Sequence, residues 1–137
     1  MDTAVRLAIH DLLGRSAYAL DERHVEMLEG TFTEDASFEL DIEGVEGTMS
    51  FEGREAIMGL ITDSMAEQTD QRRHVVTNVF FEDVAEERAK LVSNITITSV
   101  EHGQIRLVTS GLYRDEVLLK GGEWRIHRRR IELDMPY

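Results

Sequence analysis

The 137-residue chain contains no cysteine. That absence excludes a disulfide scaffold, a thiolate zinc site and a cysteine nucleophile. It is compatible with an intracellular, reducing compartment, and a cytoplasmic location is expected. Proline is nearly absent: the single one, Pro136, lies beyond the last predicted strand. Long apolar runs are missing as well. The N-terminal MDTAVRLAIHDLLGRS carries Asp2, Arg6, His10 and Asp11 among its apolar residues, so it reads neither as a signal peptide nor as a membrane span. Positive charge is scarce, with 15 basic against 27 acidic residues and a formal net charge of −12. The deficit lies in residues 1–70, which hold 4 basic and 17 acidic side chains, net −13. Residues 71–137 hold 11 and 10, net +1. An acidic half repels phosphate backbones, so no nucleic-acid partner is expected, and no membrane partner either. The only basic cluster, Arg125 with Arg128, Arg129 and Arg130, would be split between two faces by strand alternation.

The periodicity divides the chain. Val5, Ile9, Leu12, Leu13, Ser16 and Leu20 recur at helical spacing and predict a helix over 3–20, capped by Asp2 or Thr3. A second helix is predicted over 22–30. Phe38, Leu40 and Ile42 alternate with acids and predict a strand over 36–42, followed by an EGVEG loop. Residues 53–68 return to helix, with Ile57, Leu60, Ile61 and Met65 on one stripe. Strands are then predicted over 73–83, 88–100, 104–118 and 123–134, joined by VAEE, EHG and KGGE, linkers of hairpin length. No internal repeat, low-complexity tract or long linker interrupts the chain, so one domain over 1–137 is expected. Helices and one early strand before a long antiparallel meander predict an α+β fold: a curved antiparallel sheet around N-terminal helices, forming a cone with one pocket.

One strand stands out. QRRHVVTNVFFE opens on an ionisable ring, His74, behind Arg72 and Arg73. Alternation puts His74, Val76, Asn78 and Phe80 on one face and Val75, Thr77, Val79 and Phe81 on the other. Two apolar faces imply that both are covered, one by the helices and one by a partner subunit. Arg72 and Arg73, being adjacent, should point to opposite faces. The remaining histidines, His10, His24, His102 and His127, read as solvated. The acidic run EDASFELDIEGVEG lacks the ligand spacing of a calcium loop and reads as a solvated strand edge, so no metal is expected.

Three ordered stretches carry a resemblance: AYALDERH…LEGTFTEDASFE, then FEGREAI with RRHVVTNVFFE, then SGLYRDEV…GGEWRIHRRRIELD. Together they resemble the SnoaL-like branch of the nuclear transport factor 2-like superfamily, over almost the whole chain. The resemblance implies a cone with a deep pocket, in dimers or trimers. Relatives include scytalone dehydratase, polyketide cyclases, steroid isomerases and a dehydrochlorinase. The small subunits of ring-hydroxylating dioxygenases share the fold without catalytic duties. Some relatives use a histidine–aspartate pair, whose positions fall here on His74 and Asp21. A second histidine of the dehydratase falls on Asn94 or on Ser93, and a tyrosine before the aspartate falls on Ser16. The expected function is a lyase or isomerase that abstracts a proton from a small hydrophobic cyclic or polyketide-like substrate, with no cofactor. His74 would be the base and Asp21 its orienting partner. Asn94, Ser16 or Tyr113 would supply hydrogen bonds. Tyr18, Phe38, Met58, Ile61, Leu112 and Arg128 complete the candidate substrate-binding set, with Arg128 sharing the alternation of Trp124 and Ile126. The alternative is a non-catalytic small-molecule-binding module or accessory subunit. Either way a homodimer or homotrimer through the sheet face is expected.

Overall fold

Apolar residues at helical spacing build α1 (Thr3–Asp21), whose buried residues include Ile9, Leu12, Leu13, Ser16 and Ala19. The structure, a computed structural model, describes residues 3–137, so the candidate cap Asp2 lies outside the described residues. Arg23 has φ +55° and turns the chain out of the helix. The His24 ring then caps α2 (Val25–Gly30) by accepting the Met27 amide at 3.2 Å. In α3 (Arg54–Glu67), Ile57 and Met58 are buried. Leu60, Ile61 and Met65 are only partly buried, because that side of the helix faces a cavity.

The strands are β1 (Phe32–Ile42), β2 (Met49–Glu52), β3 (Gln71–Val84), β4 (Arg88–Glu101), β5 (Gln104–Lys120) and β6 (Glu123–Leu133). They form one open, curved sheet in the order β2-β1-β6-β5-β4-β3. The fold is α+β, with the N-terminal helices against the inner face: α1 packs on β3 and β6, and α3 on β1 and β2. Phe32, Ile57, Leu91, Val117 and Ile126 are at most 1 % exposed at the centre of the larger core. Each such side chain contributes roughly 1.5–3 kcal/mol by leaving water. Gly111 on β5 leaves room for β6, since a Cβ there would lie 2.1 Å from the Glu132 carbonyl oxygen.

Three sequence expectations need correction. The short strand β2 was not expected; it has only four residues, mostly exposed, too few for the alternation of Met49 and Phe51 to stand out. The acidic run is not an edge, because β1 lies between β2 and a parallel β6. Its acids Glu39 and Asp41 are both paired with Arg130. The faces of β3 also change midway. Asn78 has φ +56°, and the register slips between Thr77 and Phe80. The extra residue returns Val79 and Phe81, rather than Phe80, to the side of His74 and Val76. Phe80 is 55 % exposed on the outer face, which also carries Val75, Val100, Ile105 and Leu107.

Candidate functional site

β3 is an edge strand, so half of its backbone donors face away from β4. The end of α1 covers that edge. The Asp21 carboxylate accepts the His74 amide, at 3.1 Å and 3.0 Å to its two oxygens. It also lies 2.6 Å from His74 Nδ1. A carboxylate only accepts, so Nδ1 carries the proton and neutral His74 keeps its lone pair on Nε2. Both side chains are nearly buried, at 13 % and 6 % exposure. Gln71 Nε2 donates to the Asp21 carbonyl at 3.0 Å and ties the same junction.

His74 and Asp21 line a cavity between the helices and the inner sheet face. It offers about 140 Å³ to the centres of water-sized molecules. That is on the order of ten times the space one water needs, enough for a small organic molecule. Phe32, Phe38, Leu60, Ile61, Ile95 and Ile131 make much of the wall apolar. The polar lining includes Ser16, Tyr113, Arg23, Arg72 and Arg129.

Arg129 is the largest surprise. The pairing of β5 with β6 slips between Glu116 and Val117, leaving His127 as the extra residue on β6. Arg129, not Arg128, therefore shares the inner face with Ile126, and Arg128 is exposed on the outer face. Arg129 meets Asp115 in a two-pronged pair at 2.8 and 3.0 Å, with side-chain exposures of 5 % and 0 %. Burial alone would lower the Arg129 pKa, but the charge and hydrogen bonds of Asp115 outweigh it and hold it above the ordinary value. The guanidinium carbon lies 3.9 Å from the Tyr113 ring centroid. Burial pushes the Tyr113 phenol up to about 12, with the Arg129 charge opposing and Asp115 adding.

The other candidates divide between the cavity and the rest of the fold. Ser16, Phe38, Ile61 and Tyr113 line the cavity with the His74–Asp21 pair. Asn94 is exposed, because it pairs with Thr77 and Leu112 on the outer face. Leu112 follows it there, opposite Glu132. Of the two alternatives on β4, Ser93 is the inward one, and its buried Oγ has no hydrogen-bond partner among the described residues. Tyr18 is 56 % exposed and lines a shallower cleft between α1 and β3. Met58 belongs to the core beneath α3 rather than to the cavity wall. His127 is not simply solvated, since its Nδ1 lies 2.9 Å from Thr33 Oγ1. Among the described residues, no group of three or more His, Cys, Asp or Glu is placed to hold a metal ion, and no helix is long and apolar enough to cross a membrane.

A profile of the SnoaL-like domain matches residues 1–130. The chain belongs to the SnoaL-like family. No curated protein matches it in sequence. Three solved structures from Novosphingobium aromaticivorans are similar to this SnoaL-like chain. A candidate aromatic ring hydroxylase is 26 % identical, with 99 % of this chain and 93 % of that one covered and a TM-score of 0.83. A candidate scytalone dehydratase is 22 % identical, covering 96 % and 85 %, with a TM-score of 0.79. The β subunit of a candidate aromatic-ring-hydroxylating dioxygenase is 18 % identical, covering 98 % and 92 %, with a TM-score of 0.83. The last two establish the shared fold alone.

The sequence reading missed Arg129, Asp115, Arg23 and Tyr137 as parts of this SnoaL-like site. No glycine or proline flags the slip at His127, so plain alternation chose Arg128 instead. The Tyr113 environment gives a test. Its pKa lies above the ordinary 10.0 in the folded state, so the unfolded chain releases this proton first. The resulting stability is fully present below about pH 10 and is lost as pH rises through about 12. Subtracting the alkaline absorbance titration of Tyr113→Phe from that of wild type should reveal a phenol ionising near 12, and a midpoint near 10 would contradict the buried setting.

Proposed function

We propose that this SnoaL-like protein is a small enzyme that removes a proton from a carbon acid in a hydrophobic cyclic or polyketide-like molecule. One observation carries the reading: an imidazole whose Nδ1 lies 2.6 Å from a buried carboxylate, on the wall of a largely apolar cavity. His74 Nε2 takes the proton from the carbon beside a carbonyl, and the C–H electron pair moves onto the carbonyl oxygen. Asp21 stabilises the imidazolium that forms and keeps the ring from turning. The developing oxyanion meets the protonated Tyr113 phenol. The imidazolium then returns its proton, either to a leaving hydroxyl, which departs as water with the bonding pair, or to another carbon. The first outcome is dehydration and the second isomerisation. With Asn94 on the outer face, Ser16 and Tyr113 remain from the expected hydrogen-bonding set.

A second reading, an accessory or ligand-binding subunit, is favoured by the exposed apolar outer face around Phe80, Ile105 and Leu107. Self-association through that face fits either reading, and sedimentation velocity should show a dimer or trimer, whereas a monomer at micromolar concentration contradicts it. The two readings part on chemistry. In D₂O, wild type should accelerate deuterium exchange beside the carbonyl in at least one member of a panel of cyclic and polyphenolic ketones, followed by NMR. A folded His74→Ala should lose on the order of 10²-fold or more of that rate. Wild-type exchange in His74→Ala removes the base assignment, and no exchange with any ketone favours the accessory role.

A further inference from the structure

Arg72 and Arg73 have no part in the proton transfer just described, yet they point to opposite sides of β3. Arg73 turns outward and pairs with Glu22 at 2.5 Å. Arg72 turns inward and lines the cavity, with its side chain 18 % exposed. It is held on two sides. Its Nε donates to Asp70 Oδ2 at 3.1 Å, and its guanidinium carbon stands 5.3 Å from the Tyr137 ring centroid. Asp70 is fixed in turn by the Ser99 hydroxyl, and its backbone carbonyl accepts Arg23 Nη2 at 2.8 Å. The Ser99 hydrogen bond, aided by Arg72 and opposed by burial, holds the Asp70 carboxyl below the usual range, so it is charged at neutral pH. Among the described residues, no side chain or carbonyl accepts from either Nη of Arg72.

The arginines around this end of the cavity differ in how fully they are engaged. Three arginines, Arg23, Arg72 and Arg129, line it together with one carboxylate, Asp21. Asp21 is engaged by the amide and ring of His74, and Arg129 is neutralised by Asp115. Asp70 stands behind both Arg23 and Arg72, its carbonyl taking Arg23 and its carboxylate taking only Nε of Arg72, which leaves the two Nη groups of Arg72 unengaged. A guanidinium with a fixed Nε and two free Nη groups matches the two oxygens of a carboxylate.

We propose that Arg72 is the anion-recognising residue of the cavity, and that its ligands are ring compounds carrying a carboxylate. The apolar wall takes the ring and Arg72 Nη1 and Nη2 take the acid. The inference rests on the reading that this cavity holds a small molecule, but not on His74 acting as a base.

Calorimetric titration with benzoate and 2-naphthoate, each paired with its neutral carboxamide, tests it on the full chain. Wild type should bind at least one carboxylate on the order of tenfold or more tighter than its amide. Arg72→Gln should abolish that preference, Arg72→Lys should restore part of it, and Arg73→Gln should leave it intact. Melting curves establish that each variant is folded. If neither carboxylate outperforms its amide on wild type, or if the preference persists in folded Arg72→Gln, the assignment is overturned. His74→Gln separates the two ideas: a retained preference with lost exchange activity supports both, and a retained preference with full exchange activity removes only the base.

Discussion

The Asp21 carboxylate joins three things that must agree for the site to exist. It ends α1, it accepts a backbone donor from the open edge of β3, and it meets the ring of His74. A carboxylate at a helix C-terminus is disfavoured by the helix dipole. Here that cost is offset by hydrogen bonds in which the acceptor is charged, the stronger kind. The same contacts satisfy an edge amide that would otherwise be left without a partner. The Asp21–His74 contact is thus also a packing device, because the helix cannot leave the sheet edge without releasing the ring.

Charge along the cavity follows a second rule: each lining arginine has an acid or a carbonyl behind it. Asp115 grips Arg129, Asp70 grips Arg72, and the Asp70 carbonyl receives Arg23. Buried ions require such partners, since desolvating an unpaired guanidinium costs more than the interior can return. The partners differ in completeness. Asp115 takes Nε and Nη2 of Arg129, whereas Asp70 takes only Nε of Arg72. The first arrangement locks a wall beneath Tyr113. The second leaves donors for a ligand.

Much of this was legible in the sequence, and the losses share one cause. Helical stripes in α1 and α3, the turn signals between β3 and β6, and the α+β class all rest on periodicity that tertiary packing preserves. Asp21 and His74 were reached through family resemblance; spacing alone does not bring residues 53 positions apart together. Alternation failed wherever a strand carries an extra residue. At Asn78 it moved Phe80 outward, and at His127 it replaced Arg128 with Arg129. Asn94 and Leu112 fail differently. They keep the expected alternation, but which face is inner is decided by where the helices pack, and that is not a property of the strand. β2 is a four-residue strand too short to announce itself, and the parallel β1–β6 pairing joins segments far apart in the chain, so no local pattern reveals it.

The proposed chemistry turns on one proton. Long-range ¹H–¹⁵N NMR of histidine-labelled protein, at pH ~8 and so above the ordinary titration range of imidazole, reads which ring nitrogen carries it. The structure predicts that His74 is protonated on Nδ1 and bare on Nε2, and that Asp21→Asn disturbs this distribution. A His74 protonated on Nε2 would contradict the account, because the nitrogen left to face a substrate would then be a donor and not a base.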